Sequence, residues 1–170
     1  PVSDCFSAQG AYTWSFWIDP ASDGELNAGR IFEKGNNPGV LCATTNEAGG
    51  NLAIQVTWNG WSGGDSTFVS AVSPVAIPIG SYTHVICTVD TATSSTEPIQ
   101  IFFNGIKQTL TSVVTSTGSP GVDSTDTIYI GDVGILGRAL DADLDNLRFW
   151  PGTKLTAGEA YRLYLDEFIF

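Results

Sequence analysis

LDADLDNLRFWPGTKLTAGEAYRLY, residues 140–164, joins a buried strand to a short capped helix. Leu144, Leu147 and Phe149 alternate imperfectly with Asp145, Arg148 and Trp150, as in a strand buried on one face and partly on the other. Thr156 and Glu159 then form a T-x-x-E capping box, in which each side chain satisfies a backbone N–H of the first turn. The box predicts a brief helix carrying Tyr161, Leu163 and Tyr164. Strand, turn and capped helix in this order make a fold signature, not an active site.

Working upstream, runs rich in Val, Ile, Thr and aromatic residues recur: AYTWSFWIDP (11–20), IFEKG (31–35), GSYTHVICTVD (80–90), IQIFFNGIKQTL (99–110) and TIYIGDVG (127–134). Gly, Ser and Thr stretches at 48–51, 91–96 and 115–127 read as surface loops between them. Asn104-Gly105, set between IFF and IKQTL, is the strongest hairpin signal, because both residue types accept the positive φ of a tight turn. Helical periodicity is scarce elsewhere. A chain of 170 residues with 42% hydrophobic content buries a sizeable core and reads as one domain, 1–170.

These pieces, taken in order, resemble the laminin-G-like, concanavalin A-type jelly-roll family. Thr13 and Trp17 stand where that family has its early threonine and tryptophan, and Tyr82 stands where tryptophan is commoner. The resemblance implies an all-β, two-sheet antiparallel jelly-roll sandwich with one short C-terminal helix. It also exposes a departure: the strand with a Phe-Asp-Gly-like turn that usually opens such domains has no room here. Either the apolar tail Phe168-Ile169-Phe170 or a strand of a neighbouring subunit is expected in its place, since an unpaired sheet edge invites strand addition.

Eighteen acidic residues against seven basic ones give a net charge of -11, which repels polyanions and argues against nucleic acid or an anionic membrane as partner. No apolar run approaches the roughly 20 residues that span a bilayer. The acidity serves solubility, or collects calcium in loops. Three cysteines, Cys5, Cys42 and Cys87, leave at least one thiol free; Cys42 and Cys87 lie in apolar runs and read as buried hydrophobes. Pro1 suits removal of an initiator methionine, and no signal peptide is visible, so the chain reads as made without conventional export or as trimmed from a larger secreted protein. The expected setting is extracellular or a virion surface.

The chain reads as non-catalytic. The Glu-x-Asp-x-x-Glu pattern of related glucanases is absent; Asp141, Asp143 and Asp145 have carboxylate spacing but fall on the family's structural strand. His84, flanked by strand residues, reads as a packed histidine. Calcium is the expected cofactor, because hard cations gather carboxylate and carbonyl oxygens where strands bend. The resemblance matches Asp145 to a calcium-binding aspartate, with Asp143 or Asp123 as further metal ligands; an equal alternative for Asp145 is a hydrogen bond to loop amides.

Ligand recognition is expected at TWNGWSGGD (57–65). There Trp58 and Trp61 offer aromatic faces to the C–H surface of sugar rings, while Asn59 and Asp65 bind hydroxyls. The alternative is that one tryptophan closes the core and the other sits at a subunit contact. Trp14, Trp17 and Trp150 are assigned to packing. Two functions stand: a surface-exposed module binding carbohydrate or a cell-surface protein, with calcium; or a structural or decoration subunit of a viral capsid, tail or extracellular assembly, as a homo-oligomer or in a larger complex.

Overall fold

A computed structural model describes residues 11–35, 39–47, 51–61, 64–72, 77–90, 99–113, 127–132 and 137–168. In chain order the strands are β1 (Ala11–Pro20), β2 (Arg30–Gly35), β3 (Gly39–Glu47), β4 (Asn51–Trp61), β5 (Gly64–Val72), β6 (Thr83–Asp90), β7 (Ile99–Phe103), β8 (Ile106–Lys107), β9 (Leu110–Val113), β10 (Ile128–Ile130) and β11 (Ala142–Pro151), followed by helix α1 (Ala157–Phe168). A five-stranded sheet runs β11-β1-β6-β7-β8, and a six-stranded sheet runs β10-β2-β3-β4-β5-β9. Neighbouring strands pair antiparallel. This is the expected two-sheet sandwich with a C-terminal helix.

Alternation of side chains builds the core. Tyr12, Trp14, Phe16 and Ile18 of β1, Val85, Cys87 and Val89 of β6, and Ile99, Ile101 and Phe103 of β7 face Phe32, Val40, Cys42, Leu52, Ile54 and Val56 of the other sheet. Trp14 meets Phe32 edge to face at 5.4 Å, and Phe32 meets Phe149 at 5.2 Å, so aromatic contacts stitch the sheets together. Each such burial stabilises by roughly 1.5–3 kcal/mol. Cys42 and Cys87 are free, fully buried thiols within this core.

The imperfect alternation of β11 has a local cause. Ser15 pairs with Arg148 and Trp17 with Asp145, so Phe16 faces two residues, Asn146 and Leu147. Asn146, at φ 57°, takes up the extra residue as a bulge, which returns Leu147 and Phe149 to the core side that Leu144 also faces. Among the described residues no strand pairs with the outer edge of β11.

Of the tail, Phe168 belongs to the helix and not to that edge. Phe168 ends α1 and stacks at 6.4 Å from Trp17, because the helix lies across the outer face of the five-stranded sheet; Ile169 and Phe170 lie outside the described residues. The capping box forms: the amide and the hydroxyl of Thr156 both donate to Glu159 Oε2 at 2.8 Å, holding that carboxyl below its ordinary pKa. Asn104 and Gly105, at φ 49° and 75°, turn the chain from β7 to β8. A Cβ at Gly105 would stand 2.8 Å from Tyr161 Cδ2, so glycine also admits the helix.

Candidate recognition site

The two outer faces of the sandwich are chemically different. On the five-stranded sheet, Ile86 and Phe102 are buried beneath Ala160, Leu155 and Leu163. Every residue of β6 up to Val89 is therefore buried, one alternate set by the core and the other by the helix. Beside this apolar contact sits a polar node. Glu167 Oε2 accepts from Trp17 Nε1 at 3.2 Å and stands 3.3 Å from His84 Nε2, while Oε1 pairs with Arg148 at 3.1 Å. His84 stacks between Trp17 and Tyr164, at 4.9 and 5.9 Å. Burial, then the Arg148 charge, pushes its pKa down to about 4, so the imidazole is neutral at neutral pH. Burial pushes the Glu167 carboxyl up, against the pull of Arg148 and Trp17. The node holds the helix to the sheet, and His84 is the packed histidine anticipated.

The six-stranded sheet turns a different set outward. Across it the register aligns Tyr129, Glu33, Leu41, Thr57 and Thr67 in one row, from β10 through β2, β3 and β4 to β5. A register irregularity between Arg30 and Phe32 inserts Ile31 and restores Arg30 to this outward set. Arg30 Nε then donates to Glu33 Oε2 at 2.7 Å, with side chains only 13% and 10% exposed. Burial lowers the Arg30 pKa and the contact with Glu33 opposes that shift, so the two groups satisfy each other while largely buried in the sheet. Two strands over, on β4, Gln55 Nε2 donates to Thr57 Oγ1 at 3.2 Å, and at the edge Tyr129 is half exposed.

Backbone placement relates the tryptophan-rich segment to this face, while the side chains of Trp58, Asn59, Trp61 and Asp65 lie outside the described residues. Asn59 follows Thr57 by two and shares its alternation, one row further along, paired with Gly39. Trp58 shares the alternation of Leu52, Ile54 and Val56, the core set. The register breaks between Trp58 and Trp61; Trp61 pairs with Gly64, next to Asp65. By backbone register Asn59, Trp61 and Asp65 all belong to the β4–β5 end of the sheet, and Trp58 lies one position out of step with Thr57 and Asn59.

The metal candidates are elsewhere. Asp143 and Asp145 are exposed on β11, opposite Asp19 and Trp17, and Asp123 lies outside the described residues. Desolvation, then Asp143, Asp19 and Asp145, pushes the nearby Tyr82 phenol up. Calcium takes about six to eight oxygens. Among the described residues no three His, Cys, Asp or Glu side chains gather closely enough to hold a metal ion. Asp143 and Asp145 share a strand face. The sequence reading missed Arg30, Glu33, Gln55 and Glu167; for Arg30 and Glu33 the only local signal was opposite charge at a spacing of three.

The sequence profile of the concanavalin A-like lectin/glucanase superfamily matches residues 2–160. Among curated proteins, none matches the chain. Among solved structures, the fold is similar to a heptameric SAP-like pentraxin from Limulus polyphemus, at 17% identity and TM-score 0.64, covering 94% of this chain and 73% of the pentraxin. It is similar to domain 4 of an extracellular GH43 arabinanase from Geobacillus stearothermophilus in complex with arabinotriose, at 18% identity and TM-score 0.62, covering 95% and 69%. Trypanosoma rangeli sialidase is similar over 94% of this chain but 23% of its own, at 13% identity and TM-score 0.56.

Proposed function

For a chain that belongs to the concanavalin A-like lectin/glucanase superfamily, we propose a non-catalytic module that recognises carbohydrate, in an extracellular or virion-surface setting. The site we propose is the outer face of the six-stranded sheet and its β4–β5 end. The observation that carries this reading is the likeness to an arabinanase domain that holds arabinotriose. In the row, Tyr129 offers an exposed aromatic edge, while Glu33 with its partner Arg30, and Thr57, are largely buried and would meet hydroxyls only where a sugar lies directly on the sheet. Asn59, Trp61 and Asp65 extend it.

A glycan array with the intact protein, repeated with calcium and with a chelator, tests the reading. Binding is expected, and Glu33→Gln and Trp61→Ala are each expected to weaken it about tenfold or more, as central polar and aromatic contacts do. A folded protein that binds no glycan in either condition sinks the proposal; binding lost with the chelator adds calcium. The second reading, a structural subunit, is favoured by the outer edge of β11, which has no partner among the described residues.

A further inference from the structure

Helix α1 buries one side against the sheet and leaves another apolar. Ala160 and Glu167 are buried and Leu163 and Tyr164 are half-buried, as their contacts with the sheet require. Tyr161, Leu165 and Phe168, spaced by four and then three, form a second stripe that remains 49%, 40% and 61% exposed. Ile106 of β8, 65% exposed, lies on the strand that α1 contacts. Four large apolar side chains in one neighbourhood are a patch of the kind that marks an interaction surface.

The charges beside the stripe indicate its partner. Arg162 and Asp166, four residues apart, are both exposed and lie on the same flank of Tyr161 and Leu165. Neither makes an ion pair or side-chain hydrogen bond with another described residue. When two copies of a helix pair antiparallel about a two-fold axis, like flanks face each other, and residues whose numbers share a constant sum meet. An axis near Tyr164 and Leu165 brings Leu165 close to its own copy, Tyr161 close to Phe168 and Arg162 of each chain close to Asp166 of the other; the sums of these pairs differ by at most two residues, about 3 Å along the helix, an offset that long side chains span. A parallel pair would not bring these charges together.

We propose that α1 is a self-association surface, on which a second copy of this chain docks its own α1 antiparallel, through the Tyr161, Leu165, Phe168 stripe and two reciprocal Arg162–Asp166 pairs. This surface lies on the opposite sheet from the proposed sugar face and does not depend on it. The exposed patch is small for a permanent dimer, so the pair is of the weak, concentration-dependent kind. It must also overcome repulsion between two chains of net charge -11, which physiological salt screens beyond about 8 Å.

Sedimentation velocity over a concentration series, at physiological salt, tests the proposal with the whole chain. Dimer is expected, with Leu165→Asp weakening it at least about tenfold, the loss that one central contact carries. Arg162→Asp and Asp166→Arg, each alone, set like charges face to face and should also abolish it. Mixed together, the two variants restore opposite charges at both positions and should form a mixed dimer. A melting curve and circular dichroism confirm that each variant folds; one that does not is replaced by Arg162→Gln or Asp166→Asn. A chain monomeric at every concentration overturns the proposal, as does a dimer indifferent to all three substitutions. A dimer broken by both charge reversals but not regained on mixing overturns the antiparallel register.

Discussion

The outer faces of the two sheets both carry polar groups and use them in opposite ways. On the five-stranded sheet His84, Trp17 and Arg148 converge on one carboxylate, Glu167, delivered by the helix. On the six-stranded sheet Arg30 and Glu33 satisfy each other within one strand. The first arrangement needs a partner from a distant part of the chain and so locks an element down. The second is complete within a single strand and ties down no other element.

Substitutions that separate the two faces range from severe to slight. Phe102→Ala, which empties the buried contact between sheet and helix, is expected to cost about 3–5 kcal/mol in denaturant unfolding, with sugar binding by the remaining folded protein unchanged. Acid should act on the same face. His84 takes a proton near pH 6.5 when unfolded and only near pH 4 when folded, so across that window the unfolded chain binds more protons. Its contribution is whole above pH 6.5 and falls by about 3 kcal/mol as pH drops to about 4. Glu167, raised in the fold, works in the opposite sense and reduces the net loss. His84→Gln should flatten the acid limb of stability against pH; an unaltered limb would place the titration elsewhere.

Thr156→Ala, which removes the capping hydroxyl, should lower stability by about 1 kcal/mol, since the amide of Glu159 loses its acceptor at the helix start. Tyr129→Ala closes the series. Half exposed at a sheet edge, it should change the melting temperature little, within about 0.5 kcal/mol, yet weaken sugar binding on the proposed face. A stability loss comparable to that of Phe102→Ala would make Tyr129 a packing residue and remove it from the site.

What was legible in the sequence was what neighbouring residues settle between themselves. The Asn104-Gly105 turn and the Thr156–Glu159 box each depend on residues a few positions apart, and each stands as read. The imperfect alternation of Leu144, Leu147 and Phe149 was visible as well, but its cause, a bulge at Asn146, needed the pairing with β1. The face assignment of the polar residues was hidden altogether. Ile31 looks like any strand residue until the register with β3 shows that it shifts Arg30 onto the side of Glu33. Glu167 looks like an exposed helix residue until the fold brings it to Trp17, 150 positions away in sequence.

The amino-acid sequence by itself thus determined several of the strands, the Asn104-Gly105 turn, the capped helix and the family, because propensity and capping act over short range; it left β4 and β5 unread. Only the tertiary structure decided which sheet face was covered and which polar groups were satisfied. Those outcomes depend on strand register, where a one-residue shift exchanges the inward and outward sets, and on desolvation by elements remote along the chain.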